Sequence, residues 1–295
     1  MIACAGGGGT GDVYVFFANS LPQMRLQGKT IAVLHDIIPL RMKHAFYSSK
    51  AEGCRINVED ILLRASRIVT VSEFSRNDIA DFFGIDKNRI DVVYNGVNAD
   101  EFSRHNVTDE TYNRLREKYC LPSKYVLYFG GWEPRKNLEG VISAYSLLPP
   151  ELRRIYQLVV TNPSQGIKDL AQHKGISEDV HFISNIPAAD KPRIYQMASV
   201  SLWLSFYEGF GLPVIEAQAS GVPVICSNVT SMPEVAGDAA ILVDPHDTKA
   251  IASAIERVLT DEALREALIA KGYENIKRFS WDESAQKLHD IILNV

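Results

Sequence analysis

The stretch "FYEGFGLPVIEAQASGVPVI" (206–225) places two glutamates, Glu208 and Glu216, among three glycines and two prolines. An ionised carboxylate only accepts hydrogen bonds, through two oxygens, so it suits a vicinal diol. Gly209 and Gly211 let backbone N–H groups approach a ligand closely. Pro213 opens a helical run and Gly221 closes it, in keeping with helix polarity. The N-terminus of such a helix carries partial positive charge and suits an anion. A ligand with a diol, then an anion, then further hydroxyls meets every one of these features, and a nucleoside diphosphate sugar has that order. Taken singly, Glu216 also reads as a favourable charge at a helix start, and Glu208 as an ordinary loop carboxylate. The spacing together with the glycines favours the ligand. A glycosidase using the two glutamates as its acid pair leaves the anion site unexplained.

A second cluster lies in "FGGWEPRKNLEGVISAY" (129–145). A strand ends at Gly130 and Gly131, Arg135 and Lys136 follow, and Asn137 reads as a helix N-cap. Arginine offers a planar fork and lysine a point charge, and both neutralise phosphate oxygens. Alone this is equally a solvated basic turn; beside a glycine loop that also calls for an anion it becomes a candidate clamp. His35 and Asp36, in "HDIIPLR" (35–41), read by themselves as a capping or core pair at a strand end. The acidic residues show no clustered ligand spacing, so no metal and no resident cofactor are expected.

These residues are positioned by alternating short strands and amphipathic helices. The expected strands are 12–17, 30–34, 67–71 and 89–94, then 125–130, 156–161, 179–184, 200–205, 222–226 and 239–244. The helix "SRNDIADFF" comes after Ser72 and Ser75, both good caps. Such alternation predicts parallel sheets covered on both faces, and ligands at the carboxyl ends of the strands. The fold class is α/β, with two doubly wound Rossmann-like series. The first shows four strands and the second a full six. "GGGGTG" (6–11) is not read as a phosphate loop, because no credible strand precedes it and a strand, not a helix, comes next.

The composition is that of a globular protein with a real core: 46% hydrophobic and 23% charged. A net charge of −5 argues against nucleic acid as a partner. Residues 41–67 are locally basic through Arg41, Lys43, Lys50, Arg55, Arg64 and Arg67. A solvated helix face is the preferred reading, and peripheral contact with a membrane or an anionic acceptor the sharper one. Cys4, Cys54, Cys120 and Cys226 form neither a metal pair nor a disulfide framework, and read as reduced, mostly buried thiols of a cytoplasmic protein. No apolar run approaches a membrane span and no signal peptide is evident.

On these motifs, the chain resembles the family-4 retaining glycosyltransferases of the GT-B fold. It is most similar to bacterial polysaccharide enzymes, many of them mannosyltransferases. The resemblance spans residues 12–292 and is anchored by "HDIIPLR", "VSEFSRNDI" (71–79), "VVYNGVNADEF" (92–102), "EPRKNL" (133–138), "EGFGLPVIEAQASGVPVI" (208–225), "SMPEVAGDAAILVDP" (231–245) and "FSWDESA" (279–285). It implies that Glu208 lies near the donor sugar hydroxyls and that Glu216 holds the ribose. Arg135 and Lys136 clamp the diphosphate, with Arg135 standing in for an arginine that many members carry where this chain has Gly131. Gly209, Phe210 and Gly211 meet the sugar and diphosphate through their backbone. His35, with Asp36 beside it, lies close to the transferring sugar. Gly130, Gly131, Ile183 and Leu212 complete the implied donor-binding set.

The resemblance implies a hexose transferred from GDP-mannose or a UDP- or dTDP-sugar to a glycan or lipid-linked acceptor, at the inner face of the membrane or in the cytoplasm. The implied domains are 1–122 on the acceptor side, 123–280 on the donor side, and a C-terminal helix, 281–295, crossing back to the first. Family members carry a strand, a glycine-rich loop and a helix well upstream of the "HD" motif, whereas here His35 comes early. A shortened first domain is therefore expected, with weak transfer by the chain alone, and with an oligomer or a completing subunit to cover the exposed surface. The rival readings are a non-catalytic or partner-dependent nucleotide-sugar-binding subunit, and an epimerase or phosphorylase on the same fold.

Overall fold

A computed structural model of the chain describes residues 2–4, 12–17, 20–22, 27–42, 48–104 and 107–295. The "GGGGTG" run, Lys43 and the Cys4 side chain lie outside the described residues or side chains. The chain divides into two compact units. The first comprises 1–96, 208–210 and 279–295; the second comprises 97–207 and 211–278.

The first unit is built on β1 (Ile2–Cys4), β2 (Asp12–Phe16), β3 (Gly28–Val33), β4 (Arg67–Thr70) and β5 (Ile90–Val92), in the order β1-β2-β3-β4-β5. Strands β2 to β5 pair in parallel, as the alternation predicts. The expectation of four strands, with none ahead of the glycine run, is corrected by β1, which pairs antiparallel with β2. Three residues are too few to display a period of two, so a strand of this length leaves no pattern to read. Alternation does sort the two faces of β3. Ala32 and Leu34 pack into a core with Val58, Ile61, Ile68 and Ile79. Ile31 and Val33 face the other way, against Leu288, Ile291 and Ile292 of the helix Trp281–Leu293. The helix Glu73–Phe83 starts at Ser72, whose Oγ accepts from the Ser75 N–H at 2.9 Å. Ser75 is thus not a cap; it sits inside the first turn.

The basic residues of 41–67 are largely matched by carboxylates. Arg41 bonds Asp78 at 2.7 Å, Arg64 bonds Asp60 at 2.7 Å and Arg67 bonds Asp91 at 3.1 Å. No helix among the described residues is long and apolar enough to cross a membrane.

The second unit carries β6 (Tyr125–Tyr128), β7 (Gln157–Thr161), β8 (Val180–Ile183), β9 (Val200–Trp203), β10 (Val224–Ser227) and β11 (Ala240–Val243). Their order is β11-β10-β9-β6-β7-β8, all parallel. The order reverses between β6 and β9, and the carboxyl ends of the strands beside such a reversal are where doubly wound sheets form their ligand crevice. Residues 97–119 also pack here: Arg104 donates to the Gln196 carbonyl at 2.6 Å, and Gln196 donates to the Phe102 carbonyl at 2.7 Å. Cys226 is buried, and burial pushes its thiol up to about 12. Cys120 is exposed and Cys54 half-buried, which corrects the expectation of mostly buried thiols.

The loop between β6 and the helix Leu138–Ser146 is fixed by Asn137, the N-cap the sequence predicts. Its backbone is left-handed (φ 55°), its Oδ1 accepts from the Gly140 N–H at 3.2 Å, and its buried Nδ2 donates to the Pro245 carbonyl at 2.7 Å. Asn137→Ala removes the cap and leaves that carbonyl unsatisfied, so it should destabilise the protein by about 2–3 kcal/mol. Denaturant unfolding checks this; a change within experimental error would show that the loop holds its shape without Asn137.

Candidate functional site

The turn after β6 brings three charged side chains together. Glu133 Oε2 lies 2.9 Å from Arg135 Nε, and Glu133 Oε1 lies 2.9 Å from Lys136 Nζ. The 3-10 turn Pro134–Lys136 makes this possible by placing positions 133 and 136 on one side. Burial raises the Glu133 carboxyl, but the bonds and charges of Lys136 and Arg135 outweigh it and hold it below its usual range. Arg135 also donates to the Tyr207 carbonyl at 3.2 Å, and its own carbonyl accepts from the Phe206 N–H at 2.7 Å. The loops after β6 and β9 are therefore tied together at the point of reversal. The Lys136 ammonium lies 5.8 Å from the Trp203 ring.

The helix Leu212–Ala219 begins after Gly211, whose φ of 104° disfavours any side chain and whose Cβ would stand 2.3 Å from Met232 Cε. Pro213 sits in its first turn. Glu216 falls in the second turn, not the first, and is buried, so it is no helix-start charge. Its Oε1 is 2.5 Å from Lys191 Nζ, while Oε2 is buried without a well-formed hydrogen bond. The Tyr195 hydroxyl lies close by, raised well above its ordinary range by burial and then by the Glu216 carboxylate. Lys191 sits over the rings of Phe129 and Phe102, at 5.5 and 5.9 Å. The Glu216 carboxylate thus has Lys191 on one oxygen and the Tyr195 hydroxyl beside it, and as a carboxylate it only accepts hydrogen bonds.

The other expected donor residues of this unit lie around the same crevice or at its edge strand. Gly130 is locked to the end of β7, its N–H donating to Thr161 Oγ1 at 2.8 Å. Space is open where a Gly131 side chain would stand. Leu212 is exposed at the helix start. Ile183 ends the edge strand β8, with β7 between it and β6. Three further residues, Glu133, Lys191 and Tyr195, are brought in by the structure and not by the sequence reading. Glu133 carries a signal, three positions before Lys136. Lys191 lies 25 positions before Glu216 and carries none.

In the first unit, His35 and Asp36 come after β3, and the segment Glu208–Phe210 packs on them. His35 is exposed, and its carbonyl accepts from Thr70 Oγ1 at 3.2 Å. Asp36 Oδ1 accepts from the Ile38 N–H at 3.0 Å. A Cβ on Gly209 would stand 2.8 Å from Asp36 Cβ, so only glycine allows this approach. The Gly209 carbonyl accepts from the hydroxyls of Ser72 at 2.6 Å and Ser75 at 3.0 Å. Phe210 packs against Phe279, 5.6 Å between ring centroids, and Glu208 is buried. Among the described residues no three metal-ligating side chains cluster.

Two α/β units with largely parallel sheets, and a glycine-bearing loop at the strand-order reversal of the second, define a GT-B glycosyltransferase architecture. Solved structures agree on the fold. WaaG, a glycosyltransferase involved in lipopolysaccharide biosynthesis, superposes with a TM-score of 0.78 at 18% identity, over 94% of this chain and 77% of that one. Anabaena HepE, solved in complex with UDP-glucose, superposes at 0.76 and 19% identity, over 91% and 73%. The family model described as glycosyl transferases group 1 matches residues 113–275, and that of glycosyltransferase family 4 matches residues 12–101. The chain belongs to the glycosyl transferases group 1 family. O-antigen chain mannosyltransferase B of Escherichia coli is 35% identical over 259 residues, 86% of this chain and 67% of that protein. Serotype-specific mannosyltransferase WbdA of Escherichia coli is 33% identical over 273 residues, 90% of this chain and 33% of that protein. The chain thus spans two thirds of the first relative's length and one third of the second's.

The Lys191–Glu216 pair tests the electrostatics of this site. Lys191→Met leaves a buried carboxylate without its counter-charge and should destabilise the fold by about 2–3 kcal/mol, whereas adding Glu216→Met should recover most of that loss. Thermal and denaturant melts of both variants check this; equal losses in the single and double variants would mean the ion pair does not matter.

Proposed function

We propose that the chain transfers a hexose, mannose by preference, from a nucleoside diphosphate sugar to a glycan or lipid-linked acceptor in bacterial polysaccharide synthesis, with retention of configuration. The observation that carries this reading is the joining of the Arg135–Lys136 cation pair and the glycine loop at the strand-order reversal, where doubly wound sheets bind ligands. The mannosyltransferases among the relatives support the choice of sugar. Residues of the second unit bind the donor: Glu216 accepts from the ribose diol, while Arg135, Lys136 and the N-terminus of the helix Leu212–Ala219 hold the diphosphate. Residues of the first unit, His35, Asp36 and Glu208, serve the transferring sugar and the incoming acceptor hydroxyl.

In the reaction the bond from the anomeric carbon to the diphosphate oxygen breaks, the acceptor oxygen bonds that carbon from the face the diphosphate leaves, and the acceptor's proton passes to the departing diphosphate oxygen. Negative charge gathers on the leaving oxygen, where Arg135 and Lys136 stabilise it. Each well-placed donor of this kind contributes about 3 kcal/mol to the lowering of the barrier. A thermal-shift panel of GDP-, UDP- and dTDP-sugars, followed by product analysis with and without a mannan oligosaccharide, tests the proposal. Extension of the oligosaccharide is expected; donor binding without transfer would favour a binding subunit, and a new sugar nucleotide without acceptor would favour an epimerase.

Two substitutions examine the assigned roles. Glu216→Ala should weaken binding of the bare nucleoside diphosphate by about 2–3 kcal/mol, read by calorimetry, since hydrogen bonds to a charged acceptor are the strong ones. An unchanged affinity would free Glu216 of the ribose role. Replacing Arg135 and Lys136 together by alanine should depress kcat more than it raises the donor KM, because leaving-group charge peaks in the transition state. A rise in KM at constant kcat would confine the pair to ground-state binding.

A further inference from the structure

The Glu133 carboxylate occupies both members of the cation pair at once, one oxygen on each. The Arg135 and Lys136 side chains are only 14% and 15% exposed, whereas that of Glu133 is 43% exposed. The cations are thus built into the wall of the site, held by the Tyr207 carbonyl and the Trp203 ring, and the anion lies on its open side. A carboxylate spanning two cations in this way presents the same pattern to them as two adjacent phosphate oxygens. Adjacent positive charges this far from solvent also repel each other, so an anion must lie between them whether or not a ligand is bound. Glu133 meets that need from a side chain short enough to stay near and exposed enough to swing out to solvent.

We propose that Glu133 is a built-in stand-in for the donor diphosphate: a positioning residue that keeps Arg135 and Lys136 in place and is displaced when a nucleoside diphosphate enters. This rests on the donor-binding reading of the same site. Its consequence is a weakened hold on the nucleoside diphosphate product, because part of the binding energy goes into displacing Glu133. The transition state suffers less, since its excess negative charge competes better for the same cations. Glu133 therefore favours release of the product over its retention.

The test uses the whole chain, with GDP, UDP and inorganic pyrophosphate as calorimetric probes, against Glu133→Gln and Glu133→Asp. If the paired state holds about nine-tenths of the unliganded population, freeing the cations tightens nucleoside diphosphate binding about tenfold. Glu133→Gln, which keeps the shape and removes the charge, should show that gain, together with a matching fall in the product-inhibition constant and a lower kcat as release slows. Glu133→Asp, charged but shorter, should fall between the two, and inorganic pyrophosphate should show the same order because it engages the clamp alone. A purely structural Glu133 would give the opposite result, with weaker binding in both variants, and would overturn the proposal, as would unchanged affinities. If the wild-type chain and both variants bind none of the probes, the donor-site reading fails as well; wild-type binding without tightening in the variants removes only the role of Glu133.

Discussion

The strand order of the second sheet turns back between β6 and β9, and the chemical groups of that unit are arranged around this reversal. On either side of it the crossover connections run to opposite faces, so the loops that leave β6 and β9 part and open a crevice. Both loops are glycine-bearing, and one backbone bond, from the Phe206 N–H to the Arg135 carbonyl, ties them across the gap. Arg135 and Lys136 gain their place from that tie and from the left-handed Asn137, which ends the 3-10 turn and starts the next helix. The placing of this cation pair is therefore a property of the topology as much as of the residues in it.

Electrostatics explains how the charged side chains of this unit are held in place. Arg135 and Lys136 share Glu133, and Glu216 shares Lys191. A buried or half-buried charge without a partner would be costly or would change its protonation state. Each of these charges thus already has a counter-charge within the protein. The two arrangements differ in burial. Glu133 is the exposed member of its cluster and can yield its place, whereas Glu216 is the buried member of its pair and keeps one oxygen on Lys191.

In the first unit the dominant constraint is close approach. Ser72 caps the helix Glu73–Phe83 with its Oγ and donates that same hydroxyl to the Gly209 carbonyl; Ser75, one turn on, donates to it as well. A trans peptide points its N–H opposite to its carbonyl, so the two serines orient the peptide between Gly209 and Phe210. The spacing of two serines three apart reads by itself as a pair of caps; Ser72 alone is the cap, and both hydroxyls also fix a loop from a distant part of the chain.

Much of this was legible from residues alone. Alternating strands and helices predicted two largely parallel sheets, proline and glycine marked the ends of the helix bearing Glu216, and Asn137 announced its cap, because each rests on local backbone preference and side-chain period. The glutamates, the glycines and the Arg135–Lys136 pair were also visible, since their chemistry is unusual at that spacing. The short β1 was not, because three residues show no period. Neither was the placing of Glu216 in the second turn, which depends on the helix beginning at Leu212. The partner of Glu216, 25 residues away on another helix, and the grip of Ser72 and Ser75 on Gly209, more than 130 residues on, were decided by the tertiary structure. Sequence spacing carries information about neighbours within one helix or strand; which charge neutralises a buried carboxylate is set by which elements the fold packs together.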